Sequence, residues 1–224
     1  MTANRASASL VLTLENADFQ ASGHDSTPTG WTAGGPNGGQ FIYASGGGIP
    51  AGTRVLSLKR SDNWVQQSFD TNEVTAESFG TFVVTFDSGW RNNTSSISND
   101  ITLLFEIRNV TDGGVLASNT YDFPPNTPSN LLDNYRVIQT GNTIVLNYDN
   151  SLASLAGDEI ALRMTTLNAV NSFNPTGWID NISVTAVPEP GSLAVLGIAC
   201  GGFWFSQRRT RRKASIVNDH PPRT

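Results

Sequence analysis

Apolar and polar residues alternate with a period of two through most of the first 186 residues. In GTFVVTF, Phe82, Val84 and Phe86 share one face. ITLLFEIR sets Leu103, Phe105 and Ile107 against Thr102, Leu104, Glu106 and Arg108, DEIALRMT groups Ile160, Leu162 and Met164, and TIVLNYD groups Ile144, Leu146 and Tyr148. SLVLTL, TRVLSL, WVQQSF, VLASNTY, YRVIQT and WIDNISVTAV are further strand candidates. Turn-forming stretches separate them: GGPNGG, SGGGIPAG, TDGG, FPPNTP and TGN. No long amphipathic helical pattern intervenes, which argues against βαβ crossovers; Ser151–Gly157 is a candidate for one helical turn. About ten short strands in this span predict an all-β, two-sheet antiparallel jelly-roll sandwich, followed by a single C-terminal hydrophobic helix.

The 224 residues hold one full-sized domain with accessories. Cys200 is the sole cysteine and lies in the C-terminal apolar run, so no intrachain disulfide forms. His24 and His220 are the only histidines, too few and too far apart for a zinc site or a Ser–His–Asp triad. The acids are numerous, but no pair has a spacing that singles it out for glycosidase chemistry. Charge divides sharply: residues 1–206 carry eight Lys/Arg against eighteen Asp/Glu, residues 207–224 six against one. The acidic body repels phosphate backbones, which excludes nucleic acid as a partner.

The two ends of the domain carry a more specific pattern. Leu14–Gly23 reads LENADFQASG, PTGW follows at Pro28–Trp31, and the last strand is GWIDNISV, Gly177–Val184. This pairing resembles the carbohydrate-binding-module-like, galactose-binding-type jelly rolls, with Asn16, Phe19, Trp31, Asp180 and Asn181 on the pattern. Ala17 stands where that family has Gly, and Gln20 where it has Glu. The resemblance implies a structural calcium ion between first loop and last strand, with Glu15, Asp18 and Asp180 as candidate ligands. Without an ion, Asp180 and Asn181 are expected to bond loop backbone groups and close the sandwich.

The same resemblance raises a sugar ligand. Pyranose rings stack on exposed aromatics flanked by amides and carboxylates. Trp90 lies in the polar stretch FDSGWRNNTSSISND, read as a loop, and is the first candidate for stacking. Trp64, beside Asn63 and followed by Gln66 and Gln67, is the second. Trp31 and Trp178, at motif positions, are expected to be structural.

Residues 187–213 form a separate unit: Val187-Pro188-Glu189-Pro190, an uncharged helix candidate over residues 191–206, and the cluster Arg208, Arg209, Arg211, Arg212 and Lys213. The fifteen residues from Gly191 to Phe205 would span roughly 22 Å as a helix, short of the ~30 Å hydrocarbon core. The basic cluster places the C-terminus in the cytoplasm. Motif, run and cluster together resemble the PEP-CTERM sorting signal of Gram-negative bacteria. That resemblance implies an exosortase partner, transient anchoring in the inner membrane, removal of the tail, and delivery to the cell surface or extracellular matrix. Residues 1–9 are the candidate remnant of an export signal, with Ala6-Ser7-Ala8 like a cleavage site; residues 10–186 are the sandwich, and 214–224 a disordered tail. The expected function is that of a non-enzymatic surface protein with a sugar-binding-like module. A polysaccharide-active enzyme on the same scaffold and a purely adhesive module are the alternatives.

Overall fold

The computed structural model describes residues 9–23, 26–36, 41–44, 54–58, 61–69, 79–91, 101–124, 135–148, 158–168 and 176–188. They contain β1 (Leu10–Leu12), β2 (Thr32–Gly34), β3 (Phe41–Ala44), β4 (Arg54–Leu58), β5 (Trp64–Ser68), β6 (Phe79–Arg91), β7 (Thr102–Asn109), β8 (Val115–Asp122), β9 (Tyr135–Asn147), β10 (Ile160–Thr166) and β11 (Thr176–Pro188). One sheet runs β3-β4-β11-β6-β9, with β1 also paired to β11, and the other runs β2-β5-β10-β7-β8. The fold is all-β, an antiparallel jelly-roll sandwich of two sheets, as the alternation predicts. Its unit spans Ser9–Val187. The expected C-terminal helix, Glu189, Pro190, the basic cluster, residues 1–8 and Ser151–Gly157 lie outside the described residues. Among the described residues no helix is long and apolar enough to cross a membrane.

The core sits between the sheets and consists of the residues that the period-two pattern selects. Phe82, Val84 and Phe86 of β6 are buried, as are Leu103, Phe105 and Ile107 of β7 and Ile160, Leu162 and Met164 of β10. Phe86 packs against Phe105 with centroids 4.9 Å apart and meets the edge of Tyr121 at 5.0 Å. Each such side chain removed from water contributes about 1.5–3 kcal/mol.

Two expectations about the β6–β9 pair are corrected. YRVIQT and TIVLN are one strand, and the TGN stretch is an irregularity within it. Gly141 takes φ +65°, the register shifts around Ser88, and Asp87 Oδ1 accepts the Gly141 N–H at 2.8 Å. The polar residues of the irregularity are satisfied between the sheets: Asn142 Nδ2 donates to Phe86 O and Ser88 Oγ, and the hydroxyl of Tyr121, from β8 of the opposite sheet, bonds Asn142 Oδ1 and Ser88 Oγ. A sequence rich in turn formers is therefore a bulge. Because β6 continues through it, Trp90 is a strand residue paired with Arg136, where the sequence suggested a loop.

Candidate ligand face and closing loop

β5 alternates across its sheet: Val65 and Gln67 turn inward and are buried, while Trp64, Gln66 and Ser68 face outward and are half-buried. The register then extends the outer face sideways. Thr32, Gln66, Arg163, Glu106 and Ser118 stand on one rung, one from each strand. The neighbouring rung carries Gly34, Trp64, Thr165, Leu104 and Thr120. Arg163 reaches diagonally to Trp64 and lays its guanidinium carbon 3.9 Å from the ring centroid. On β2, a Cβ at Gly34 would stand 2.4 Å from the Trp64 ring, so glycine is what lets the indole cross that strand.

Charges on this face are compensated. Glu106 is 8 % exposed and receives Arg108 Nη1 at 3.3 Å, while Arg108 Nη2 donates to Gly113 O at 2.7 Å. Burial lowers the Arg163 pKa, Arg108 adds to that effect and Glu106 opposes it. Arg163 Nε is buried without a hydrogen-bond partner. The face therefore offers a planar cation fixed on an aromatic ring, an amide and a buried carboxylate. That set suits hydroxyl-rich ligands. Trp64 does not present a bare ring, since Arg163 already covers one side of it, and a ligand approaching there would meet the stacked pair. The sequence missed Arg163, whose one signal is the outward position it takes in DEIALRMT.

Of the candidate calcium ligands, Asp18 and Asp180 are neighbours, and Glu15 is engaged elsewhere. Trp31 Nε1 and Gln67 Nε2 both donate to Glu15 O, and the Glu15 carboxyl lies against Gly30. Glu15 lines an open, polar pocket of about 430 Å³ with Gly30, Gln66 and Gln67. Asp180 instead has Asp18 and Asp87 as electrostatic neighbours. Burial pushes its pKa up to about 7; both like charges add to this, and the hydrogen bond from Asn181 N opposes it. Among the described residues no three or more His, Cys, Asp or Glu are placed to hold a metal ion.

The loop from Glu15 to Ser22 is held by its own polar residues. Asn16, at φ 51°, donates to Ser22 Oγ and Thr29 O, and its Oδ1 accepts the Ala21 N–H. Phe19, at φ 57°, is fully buried with its ring 5.8 Å from that of Trp31. Trp31 and Trp178 are buried, in keeping with a structural role. The last strand closes onto the loop through Ile182 N, which donates to Ala17 O at 3.1 Å. The Asp180 carboxylate accepts the neighbouring Asn181 N–H, and Asn181 Nδ2 donates to Asp87, so among the described residues that main-chain bond stands in place of the expected side-chain bonds to loop backbone. Val187 and Pro188 end β11, the Trp90 side chain lies outside the described residues, and so does His24.

No protein-family model matches the chain, and no curated protein does. Among solved structures, a Stig cyclase, Fisc, from Fischerella sp. TAU, in complex with (3Z)-3-(1-methyl-2-pyrrolidinylidene)-3H-indole, is 18% identical with a TM-score of 0.53, covering 81% of this chain and 99% of its own. A cyclase from Fischerella sp. TAU in complex with 4-(1H-indol-3-yl)butan-2-one is 16% identical with a TM-score of 0.54, covering 80% and 98%. The CBM22-1 xylan-binding domain of Paenibacillus barcinonensis Xyn10C overlaps more loosely, with a TM-score of 0.39, 15% identity, and 77% and 93% covered. What the chain shares with the two cyclase structures is its fold, the two-sheet β-sandwich.

Proposed function

We propose that this chain is an exported, non-enzymatic cell-surface or matrix protein whose sandwich binds polysaccharide on the outer face of the five-stranded sheet. The observation that carries this reading is the Arg163–Trp64 stack, with Gln66 and Glu106 on the same rung as Arg163. Arg163, held by the indole, gives up little freedom when its N–H groups meet vicinal hydroxyls, and Gln66 and Glu106 supply acceptors beside it. Binding to immobilised glycans, compared with Trp64→Ala, tests it: binding that weakens in the variant supports the site, and no binding to any glycan removes it.

The same reading takes Val187-Pro188-Glu189-Pro190, the apolar run and the cluster from Arg208 to Lys213 as an exosortase-processed PEP-CTERM signal. Prolines hold such a motif extended, and the short run serves as a transient stop in the inner membrane. Replacing Pro188-Glu189-Pro190 by alanines is expected to leave unprocessed protein in the membrane fraction; unchanged processing and location would sink the assignment.

A second reading, an enzyme on the same sandwich, is favoured by Asp180. A buried carboxyl with a pKa raised to about 7 is suited to proton donation near neutrality. Turnover of a polysaccharide that disappears in Asp180→Asn would establish this reading over the first.

A further inference from the structure

The resemblance of the first loop and last strand implies a calcium ion, and among the described residues no cluster of three His, Cys, Asp or Glu fits one. We propose that the carboxamide of Gln20 does in this protein what the cation does in such sandwiches, so that the closing loop is fastened to β4 without metal. Two main-chain oxygens from segments far apart in sequence, Asp18 O and Arg54 O, converge on one point. Convergent carbonyls are the kind of shell that a hard cation requires. Here the point is occupied by Gln20 Nε2, 2.8 Å from Asp18 O and 3.1 Å from Arg54 O. An amide NH₂ has two protons, and both are spent on these two acceptors.

The rest of Gln20 completes the clasp. Its Oε1 accepts the Arg54 N–H at 3.2 Å, its main-chain O accepts Arg54 Nη1 at 3.3 Å, and its N–H donates to Asp18 Oδ1 at 3.2 Å. A glutamate at position 20 cannot reproduce this, because an ionised carboxylate has no proton to offer the two carbonyls and would face them oxygen to oxygen. A cation would have to bridge them. Conversely, the amide protons point where a cation would sit, and they repel it. This inference is independent of the sugar reading, since it concerns how the loop is fastened.

The test uses the full chain and Gln20→Glu, each unfolded thermally in EDTA and in excess calcium, with calcium titrated into the wild type by calorimetry. The wild type is expected to unfold at one temperature in both solutions and to give no binding heat. Gln20→Glu is expected to melt lower in EDTA and to regain about 5–10 °C at calcium roughly a hundredfold above its Kd. Stoichiometric calcium binding by the wild type overturns the proposal. A folded Gln20→Glu protein no more responsive to calcium than the wild type overturns it as well. If Gln20→Glu folds only with calcium the proposal stands, and if it folds in neither solution the wild-type titration decides.

Discussion

The outer face of the five-stranded sheet and the Asp180 corner of the six-stranded sheet handle buried charge in opposite ways. On the first, Glu106 is paired with Arg108, and Arg163 rests on Trp64. At the second, burial drives the Asp180 carboxyl toward its protonated form, and the neighbouring Asp18 and Asp87 add to that effect. A charge that has a partner can stay ionised and serve in recognition. A charge without one is neutralised by a proton and makes local stability depend on pH. The two regions should therefore respond to different perturbations.

The largest effect is expected where the corner meets the core. Phe19→Ala removes a fully buried ring packed on Trp31 and should cost about 3–5 kcal/mol of unfolding free energy, measured by denaturant titration. Next comes pH. The carboxyl of Asp180 rises from 3.8 to about 7 on folding, so the folded state binds the proton more tightly. Its contribution to stability is fully present below pH 3.8 and is lost as pH rises through about 7. The wild type should lose melting temperature across that window more steeply than Asp180→Asn; parallel profiles would erase the contrast between the two regions. Third, Trp64→Ala should weaken glycan affinity about tenfold while leaving that pH profile unchanged, because the stacked cation loses its support. The smallest effect is Gly34→Ala, which should shift tryptophan fluorescence by moving one indole, with stability altered by about 1–3 kcal/mol or less. An unchanged spectrum would show that Trp64 does not lie across β2.

Much of the sandwich was legible because burial on one face enforces a period of two. ITLLFEIR and DEIALRMT assign each residue to its face before any strand is paired. Asn16, Phe19 and Trp31 stood out only through the family resemblance at the two ends of the domain; the αL turn and the buried aromatic pair they form became visible in the structure. What could not be read was lateral. That Gln66, Arg163 and Glu106 share a rung depends on cross-strand register, which joins segments about forty to a hundred residues apart. The bulge at Gly141 was hidden for the same reason. Its turn-like residues are stabilised by Asp87 and Ser88 from another strand, and nothing near Gly141 in sequence announces them. Gln20 was visible only as a departure from a pattern, and its use emerged once Arg54 was placed beside it.

The position of β11 has a mechanical consequence. It lies between β4 and β6, and its far end is also paired to β1, Leu10 opposite Ala186. A pull on the chain beyond Val187 therefore runs along a strand flanked on both sides. A pull directed along the strand axis loads its ladder bonds together in shear, whereas a pull across the sheet would unzip them pair by pair. A protein held by that end while its opposite sheet grips a polymer would bear tension on the strand best seated to resist it.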